Sequence, residues 1–126
     1  MKDIAKTLKI NGVDYPLVFN LNVMEAIQEQ YGSLDAWGDL TEAQTETSED
    51  GTPKLSKEPD AKAVIFGFTE MMNEGIDIEN EQRGELRPFV TNRQVGRLLT
   101  EYGLAKAGAL LNETVIESTE SPQKNA

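Results

Sequence analysis

The sequence predicts an α+β domain that is mainly α, in which an N-terminal β-hairpin packs on four to five helices. Near the N-terminus, two short runs of alternating apolar residues flank Asn11-Gly12, a pair that favours a tight hairpin turn. The apolar spacing then changes to the period of helices, and glycines and capping residues separate the helical segments. We expect one domain over residues 1–117 and a disordered, flexible tail over residues 118–126.

The hairpin is expected to pair residues 7–10 with residues 15–19. One of its faces must pack on helices, because two strands alone are marginally stable in water. Pro16 has no amide hydrogen, which places the second strand at an edge or points that position outward. The apolar face is expected to hold Leu8, Ile10, Tyr15, Leu17 and Phe19.

Two helices should follow the hairpin. Asn22 is a candidate N-cap with Glu25 three residues later, and Gly32 is a suitable C-terminal residue. Ser33 is placed to cap a second, short helix that contains Trp37. The apolar residues of the two helices are Val23, Met24, Ile27 and Tyr31 in the first and Leu34, Trp37 and Leu40 in the second.

Residues 41–59 are polar, rich in Thr, Ser and Glu, and interrupted by two prolines. Such a segment buries too little apolar surface to offset the entropy lost on ordering. We therefore expect a long mobile loop at this place in the chain.

A third helix should begin after Asp60 and end at Gly75. Residues 76–89 are then expected to form a second, acidic loop, because the Arg87-Pro88 step disfavours helix. The wide apolar stripe of the third helix consists of Ala61, Val64, Ile65, Phe68, Met71 and Met72.

Thr91 and Gln94 have the spacing of a capping box at the start of a fourth helix, and Gly103 interrupts the helical pattern. A fifth helix is expected from about Leu104 to Ile116. The apolar stripes are Val95, Leu98, Leu99 and Tyr102 in the fourth helix and Leu104, Ala107, Leu111 and Val115 in the fifth.

The composition argues against several classes of function. The chain of 126 residues carries a formal net charge of −10, which disfavours binding to nucleic acid or to anionic membranes. It contains no cysteine and no histidine, so the commonest nucleophile, general base and transition-metal ligands are missing. No apolar run is long enough to span a membrane, and the N-terminus does not resemble a secretory signal. Basic partner proteins remain possible.

The residues do not predict a cofactor, a metal site or a catalytic site. Asp77, Glu79 and Glu81 alternate like the start of a calcium loop, but Gln82 and Pro88 stand where such a loop needs glycine and glutamate. Three glycines lie inside helical patterns, which favours close approach between helices, rather than in a phosphate-binding turn. They are Gly67, Gly96 and Gly108.

A partner-binding surface is the remaining kind of site. Methionine adapts to irregular partners, so the stripe of the third helix can be either an apolar binding strip or part of the core. Trp37, the only tryptophan, has the same two interpretations. The candidate partner-binding residues are Trp37, Phe68, Met71, Met72, Leu98, Leu99 and Tyr102.

The order of these segments resembles the tail assembly chaperones of long-tailed bacteriophages (siphoviruses), found in phage and prophage genomes of Gram-positive bacteria. The matching segments are INGVDYPL in the hairpin, NVMEAIQEQYG in the first helix, MNEGID at residues 72–77, and residues 91–98 in the capped helix. The resemblance covers most of residues 4–115 and excludes the loop at 41–59.

The resemblance implies a protein that acts in the cytoplasm of the bacterial host and is not part of the mature virion. Members of this family coat the tape measure protein, keep it soluble and help to recruit the tail tube protein. Several self-associate, and many are also made in a longer form by translational frameshift. The family has no catalytic residues, so the implied role is binding without turnover.

Two other functions remain open. The chain can be a structural part of the virion, such as a head-tail connector or a minor tail protein, and it would then co-purify with particles. It can also be an acidic inhibitor that imitates nucleic acid, although many of its acidic residues fall in the expected loops. An enzyme is disfavoured, because no set of polar residues points to a catalytic pocket.

Overall fold

The computed structural model describes residues 4–42 and 44–119, except for the side chains of residues 4, 5, 44–46, 55 and 56. As expected, the chain is mainly helical, and an N-terminal antiparallel hairpin packs on five helices. The elements are β1 (Ile4–Ile10), β2 (Val13–Phe19), α1 (Leu21–Tyr31), α2 (Leu34–Thr41), β3 (Gln44–Thr47), β4 (Pro53–Lys57), α3 (Ala61–Arg83), α4 (Asn92–Tyr102) and α5 (Leu104–Thr119).

The N-terminal hairpin forms around the predicted turn, and its strands are longer than the predicted residues 7–10 and 15–19. Its strands pair from Ile10 with Val13 to Ile4 with Phe19, and the turn residues Asn11 and Gly12 have φ values of 53° and 77°. Positive φ at both positions is what a two-residue turn between twisted strands requires. Of the predicted apolar face, Tyr15 is half-buried and the others are buried, namely Leu8, Ile10, Leu17 and Phe19.

Helix α3 is the centre of the fold, since it packs against β2 and against each of the other four helices. It begins after Asp60, whose carboxylate accepts a hydrogen bond from the Ala63 amide at 3.0 Å. The prediction that Gly75 ends this helix is wrong, because the helix continues to Arg83 and ends at Gly84 with φ 67°. The predicted acidic loop is correspondingly shorter, since residues 76–83 belong to α3.

Pro16 does not point outward. It is buried, and it lies against Gly75 of α3. The alternative prediction, that β2 is an edge strand, agrees with the two-stranded sheet. Burial at Pro16 leaves no unpaired amide, because proline has none.

The prediction of a mobile loop at residues 41–59 is wrong where the structure describes this range, which leaves out residue 43. Thr41 ends α2, and β3 and β4 pair as a second antiparallel hairpin. At its tip, the carboxylate of Asp50 accepts hydrogen bonds from the Ser48 hydroxyl and from the Thr52 amide and hydroxyl. These bonds favour the ionised carboxylate and lower the pKa of Asp50 to about 2. The sequence argument counted apolar burial and missed the pairing of the two polar strands with each other.

The predicted N-terminal caps of the helices are confirmed with one exception. Asn20, not Asn22, caps α1, because its side chain accepts from the Val23 amide at 3.2 Å. Ser33 caps α2, and Thr91 with Gln94 forms a complete capping box at α4.

Helix α5 is longer than predicted. It runs beyond Ile116 to Thr119, so residues 118 and 119 of the expected tail are helical, and residues 120–126 lie outside the described part. Lys6 of β1 forms ion pairs with Glu113 and Glu117, which connect this helix to the hairpin. Among the described helices, none combines the length and the apolar character that a membrane span requires.

Candidate functional site

Five of the seven predicted partner-binding residues lie in the hydrophobic core. Phe68, Met71 and Met72 have no exposed surface, because the hairpin and the neighbouring helices cover this side of α3. Trp37 is also buried, and its indole nitrogen donates to the Ala63 carbonyl at 3.0 Å. Leu99 is 4% exposed. In this conformation, none of the five forms an apolar strip that a partner can reach.

The other two predicted residues keep part of their surface. Leu98 and Tyr102 of α4 are half-buried at the edge of the core. The ammonium group of Lys106 lies 4.6 Å from the centre of the Tyr102 ring, in a cation–π contact. This face of α4 is the part of the predicted binding surface that the fold leaves accessible.

An open groove lies between α3 and α4, and the end of α1 contributes to its lining. We call it the α3–α4 groove. It encloses about 710 Å³ and is lined by Gln30, Tyr31, Lys62, Ile65, Phe66, Asn92, Arg93 and Gly96. A smaller hollow of about 330 Å³ shares Ile65 and Gly96 with it and continues to Leu104.

The spacing of residues on the two helices explains the groove. Lys62, Ile65 and Phe66 lie on one face of α3, since residues three and four apart are neighbours on a helix. Gly96 faces them from α4, and a Cβ atom there would lie 3.4 Å from the Ile65 Cδ1 atom, an ordinary contact. Gly96 therefore does not mark a tight helix contact, contrary to the prediction, and its missing side chain keeps the groove open.

The prediction of close approach is confirmed at the other two glycines. A Cβ atom at Gly67 would come within 2.5 Å of the Trp37 ring, and one at Gly108 within 2.6 Å of the Thr41 carbonyl oxygen. Neither contact is possible for a real side chain, so both positions require glycine at this helix separation.

The groove differs in charge from the rest of this acidic chain. Lys62 and Arg93 lie on its rim, and its described lining contains no carboxylate. Neither cation forms an ion pair with a described side chain. Since the chain has 22 acidic and 12 basic residues, a wall with two cations and an apolar floor is a distinct surface.

One groove residue has a buried polar atom without a partner. Among the described residues, nothing pairs with the Tyr31 hydroxyl, and the Tyr31 ring packs edge-on against Phe66 at 5.5 Å. Burial raises the pKa of Tyr31, and the negative charge of Asp60 adds to the rise. An unpaired buried hydroxyl costs free energy, so a hydrogen-bonding group entering the groove here would gain a partner.

The connection between α3 and α4 exposes two large apolar side chains. Leu86 is 96% exposed and Phe89 is 56% exposed. We call these two side chains the apolar knob. Sequence reasoning did not select them, although two apolar residues on either side of Arg87-Pro88 in an otherwise polar stretch were a usable signal.

Two asparagines of α3 hold this connection in place. Asn80 donates to the Arg87 carbonyl at 2.9 Å and accepts from the Arg87 amide at 3.0 Å. Asn73 makes the same pair of bonds with Val90, at 3.0 and 2.8 Å. Each asparagine side chain thus donates one hydrogen bond to a backbone carbonyl and accepts one from the amide of the same residue. These bonds fix the segment that carries the apolar knob.

Arg87 fastens the connection to the hairpin as well. Its guanidinium donates to the Asp14 carbonyl at 3.0 Å and lies over the Tyr15 ring at 5.6 Å. Glu79 lies 3.9 Å from the same guanidinium.

The segment MNEGID is the point at which several parts of the fold meet. Asn73 binds Val90, and the Glu74 carboxylate accepts from the side chains of Asn20 at 2.7 Å and Asn22 at 3.0 Å. Gly75 contacts Pro16, and Ile76 is buried in the core. Four consecutive residues of α3 therefore hold the hairpin, the start of α1 and the segment before α4.

The described side chains contain no group of three or more His, Cys, Asp or Glu residues placed to bind a metal ion. No family model matches the chain, and no curated protein or solved structure matches it either.

Proposed function

We propose that this protein is a tail assembly chaperone of a long-tailed phage, which binds the tape measure protein and keeps it soluble. On this proposal it acts in the cytoplasm of the bacterial host, helps to recruit the tail tube protein, and is absent from the finished particle. Its role is binding without turnover.

The observation that carries the proposal is the position of the MNEGID segment. This segment is a main part of the sequence resemblance, and in the fold it contacts the hairpin at Pro16, the start of α1, and Val90 in the segment before α4. The other resembling segments lie in β1–β2, in α1 and in the capped α4, which are the elements next to these contacts. The resemblance therefore falls on segments that lie close together in this fold, and this is the support that the structure gives to the proposal.

The charge of the chain supports the same role. A long helical client with apolar segments aggregates unless a soluble partner covers it, and a net charge of −10 keeps such a complex in solution. Because Phe68, Met71 and Met72 are buried, we place the client contact on the accessible face of α4, at Leu98 and Tyr102.

The experiment is co-expression with the long helical protein encoded directly downstream, followed by size-exclusion chromatography with light scattering. We expect a partner that is insoluble alone to elute in a soluble complex with several copies of this chain. A partner that stays insoluble, or this chain in purified particles, would contradict the proposal. The second result would favour a structural part of the virion.

The α4 contact is tested by Leu98→Gln, with Ile116→Gln as the control. Ile116 is an exposed apolar residue of α5, outside the α4 face. We expect less soluble client with Leu98→Gln and unchanged solubility with Ile116→Gln. Equal yields from both variants, at equal thermal stability, would place the client contact elsewhere.

A further inference from the structure

We infer that the α3–α4 groove binds a small molecule that has an apolar body and a single carboxylate. The groove combines an apolar floor, two cations on its rim and a hydroxyl that has no partner among the described residues. The proposed client contact does not use the groove. The inference therefore goes beyond the proposed function and does not depend on it.

The floor of the groove suits an apolar body. Ile65 and Phe66 are half-buried there, and Gly96 leaves the space between the two helices open. The smaller hollow continues the groove past Leu99 to Leu104, and its described lining contains no charged residue. An elongated ligand can therefore lie along Ile65 and Gly96, and this contact removes apolar surface from water on both sides.

The rim of the groove suits a carboxylate. Lys62 and Arg93 lie on it, and neither forms an ion pair with a described side chain. Tyr31 also lines the groove, and its buried hydroxyl has no hydrogen-bond partner among the described residues. A carboxylate that reaches these groups meets two cations and one hydroxyl donor. Hydrogen bonds to an ionised acceptor of this kind are stronger than neutral ones.

The charges next to the lining do not reverse this preference. In the sequence, the charged residues that adjoin the lining are Glu29, Asp60, Arg97 and Glu101. Arg97 and Glu101 are one helical turn apart on α4, where opposite charges attract each other. The Asp60 carboxylate accepts from the Ala63 amide at the start of α3. With the two lining cations included, this region is neutral, and the charged side chains that line the groove are both positive.

The size of the site favours a small molecule over a protein. The groove encloses about 710 Å³ and the smaller hollow about 330 Å³. Sites for small molecules usually have about 300–1,000 Å³, whereas a standard protein interface involves about 20–30 residues a side. The net charge of −10 disfavours an anionic membrane as the source of the carboxylate. A free amphipathic carboxylate is therefore the occupant that fits.

The first experiment uses octanoate, octanol and octylammonium, which have the same chain length and differ in charge. Backbone amide NMR shifts of the full chain report binding. We expect octanoate to shift the amides of Ile65, Phe66 and Gly96 but not that of Gly12 in the hairpin turn. Octanoate should bind with a Kd of about 1 mM or below, and octanol and octylammonium ~10-fold more weakly.

Several results of this titration would overturn the inference. One is the absence of octanoate shifts at the groove amides. Equal affinities for octanoate and octanol would mean that the carboxylate is not recognised, and tighter binding of octylammonium would mean that the site prefers cations. Octanoate shifts spread over surfaces outside the groove would indicate unspecific binding.

The two cations are tested by the double variant Lys62→Gln with Arg93→Gln. Its control is Lys9→Gln with Lys54→Gln, which removes the same charge outside the groove. All four side chains are exposed, so the core is unchanged. We expect the groove variant to bind octanoate ~10-fold or more weakly and octanol as before, and the control to bind both as the unmodified chain does. No loss in the groove variant, or an equal loss in both, would overturn the inference.

The hydroxyl is tested by Tyr31→Phe, with Tyr15→Phe of the hairpin as the control. Because the Tyr31 hydroxyl has no partner among the described residues, its removal should keep the thermal midpoint. We expect Tyr31→Phe to weaken octanoate binding by ~10-fold, since a bond to an ionised group is lost. The Tyr15→Phe protein should bind octanoate with unchanged affinity. Unchanged affinity in Tyr31→Phe would overturn the inferred position of the carboxylate.

Filling the groove provides an independent check. Gly96→Leu places a side chain in the groove without entering the core, because a Cβ atom there contacts only the end of the Ile65 side chain. Ala109→Leu, at an exposed position of α5, is the control. We expect Gly96→Leu to abolish binding of octanoate while the thermal midpoint is kept, and Ala109→Leu to leave binding intact. Octanoate binding that persists in a folded Gly96→Leu protein would also overturn the inference.

Discussion

Gly75 of α3 lies directly against the ring of Pro16 in β2. A Cβ atom at Gly75 would come within 2.6 Å of the Pro16 Cβ atom and 2.8 Å of its Cγ atom. The missing side chain is therefore what allows the helix and the hairpin to approach each other. Both partners are unusual in their elements, since glycine weakens a helix and proline cannot donate to a sheet.

The first prediction concerns Gly75→Ala and the matched Gly96→Ala. Alanine gains about 1 kcal/mol over glycine in a helix, but at Gly75 the clash with Pro16 costs more. We expect Gly75→Ala to lower the free energy of unfolding by about 1–2 kcal/mol. Gly96→Ala, which meets only an ordinary contact, should raise it by up to about 1 kcal/mol. Urea denaturation measures both, and equal effects would contradict the assigned roles.

The position of Gly75 also shows what sequence patterns can and cannot predict. Glycine after an apolar stripe is a usual helix end, and the local pattern gave no reason to continue the helix. The reason for a glycine inside this helix is its contact with Pro16, which lies far away in the sequence. By contrast, Asn11-Gly12, Ser33 and the Thr91–Gln94 box act through local bonds, and these were predicted correctly.

The candidate site was harder to predict for a related reason. A binding strip and a core stripe have the same helical period, so Phe68, Met71 and Met72 were open to both interpretations. The packing of the hairpin and helices over α3 decides between them, and no local signal reports it. The α3–α4 groove could not be predicted for the same reason, because it exists only where α3 and α4 come together.

The second prediction concerns the two asparagines that hold the α3–α4 connection. The Arg87 amide bonds to Asn80, and the Val90 amide bonds to Asn73. Asn80→Ala should therefore increase hydrogen exchange at the Arg87 amide, and Asn73→Ala should do so at the Val90 amide. Each variant is expected to lose about 1–3 kcal/mol of stability, since a backbone amide and a carbonyl lose their partners. Unchanged exchange at both amides would show that the connection is held by other contacts.

The third prediction separates core residues from surface residues among the predicted partner-binding set. Phe68→Ala should lower the free energy of unfolding by about 3–5 kcal/mol, because it leaves a cavity in a packed core. Leu98→Ala should cost much less, since Leu98 is half-buried. Chemical denaturation gives both values. A Phe68→Ala protein of undiminished stability would mean that this side chain is not in the core.

The fourth prediction concerns Glu70 and pH. Burial raises the pKa of the Glu70 carboxyl above its ordinary value of 4.5, and the nearby carboxylate of Glu74 adds to the rise. The folded state therefore binds a proton more tightly than the unfolded state does. The stability that this difference contributes is present below pH 4.5 and is lost as the pH rises through the raised pKa.

Glu70→Gln removes this penalty. We expect the variant to be more stable than the unmodified chain at pH 7, with a difference that shrinks as the pH falls towards 4. Glu29→Gln is the control, since it removes one negative charge from an exposed position on α1. Thermal unfolding from pH 4 to pH 8 measures the difference. A gain that is independent of pH, or equal in both variants, would show that Glu70 does not carry a raised pKa, because only a group that titrates differently in the two states makes stability depend on pH.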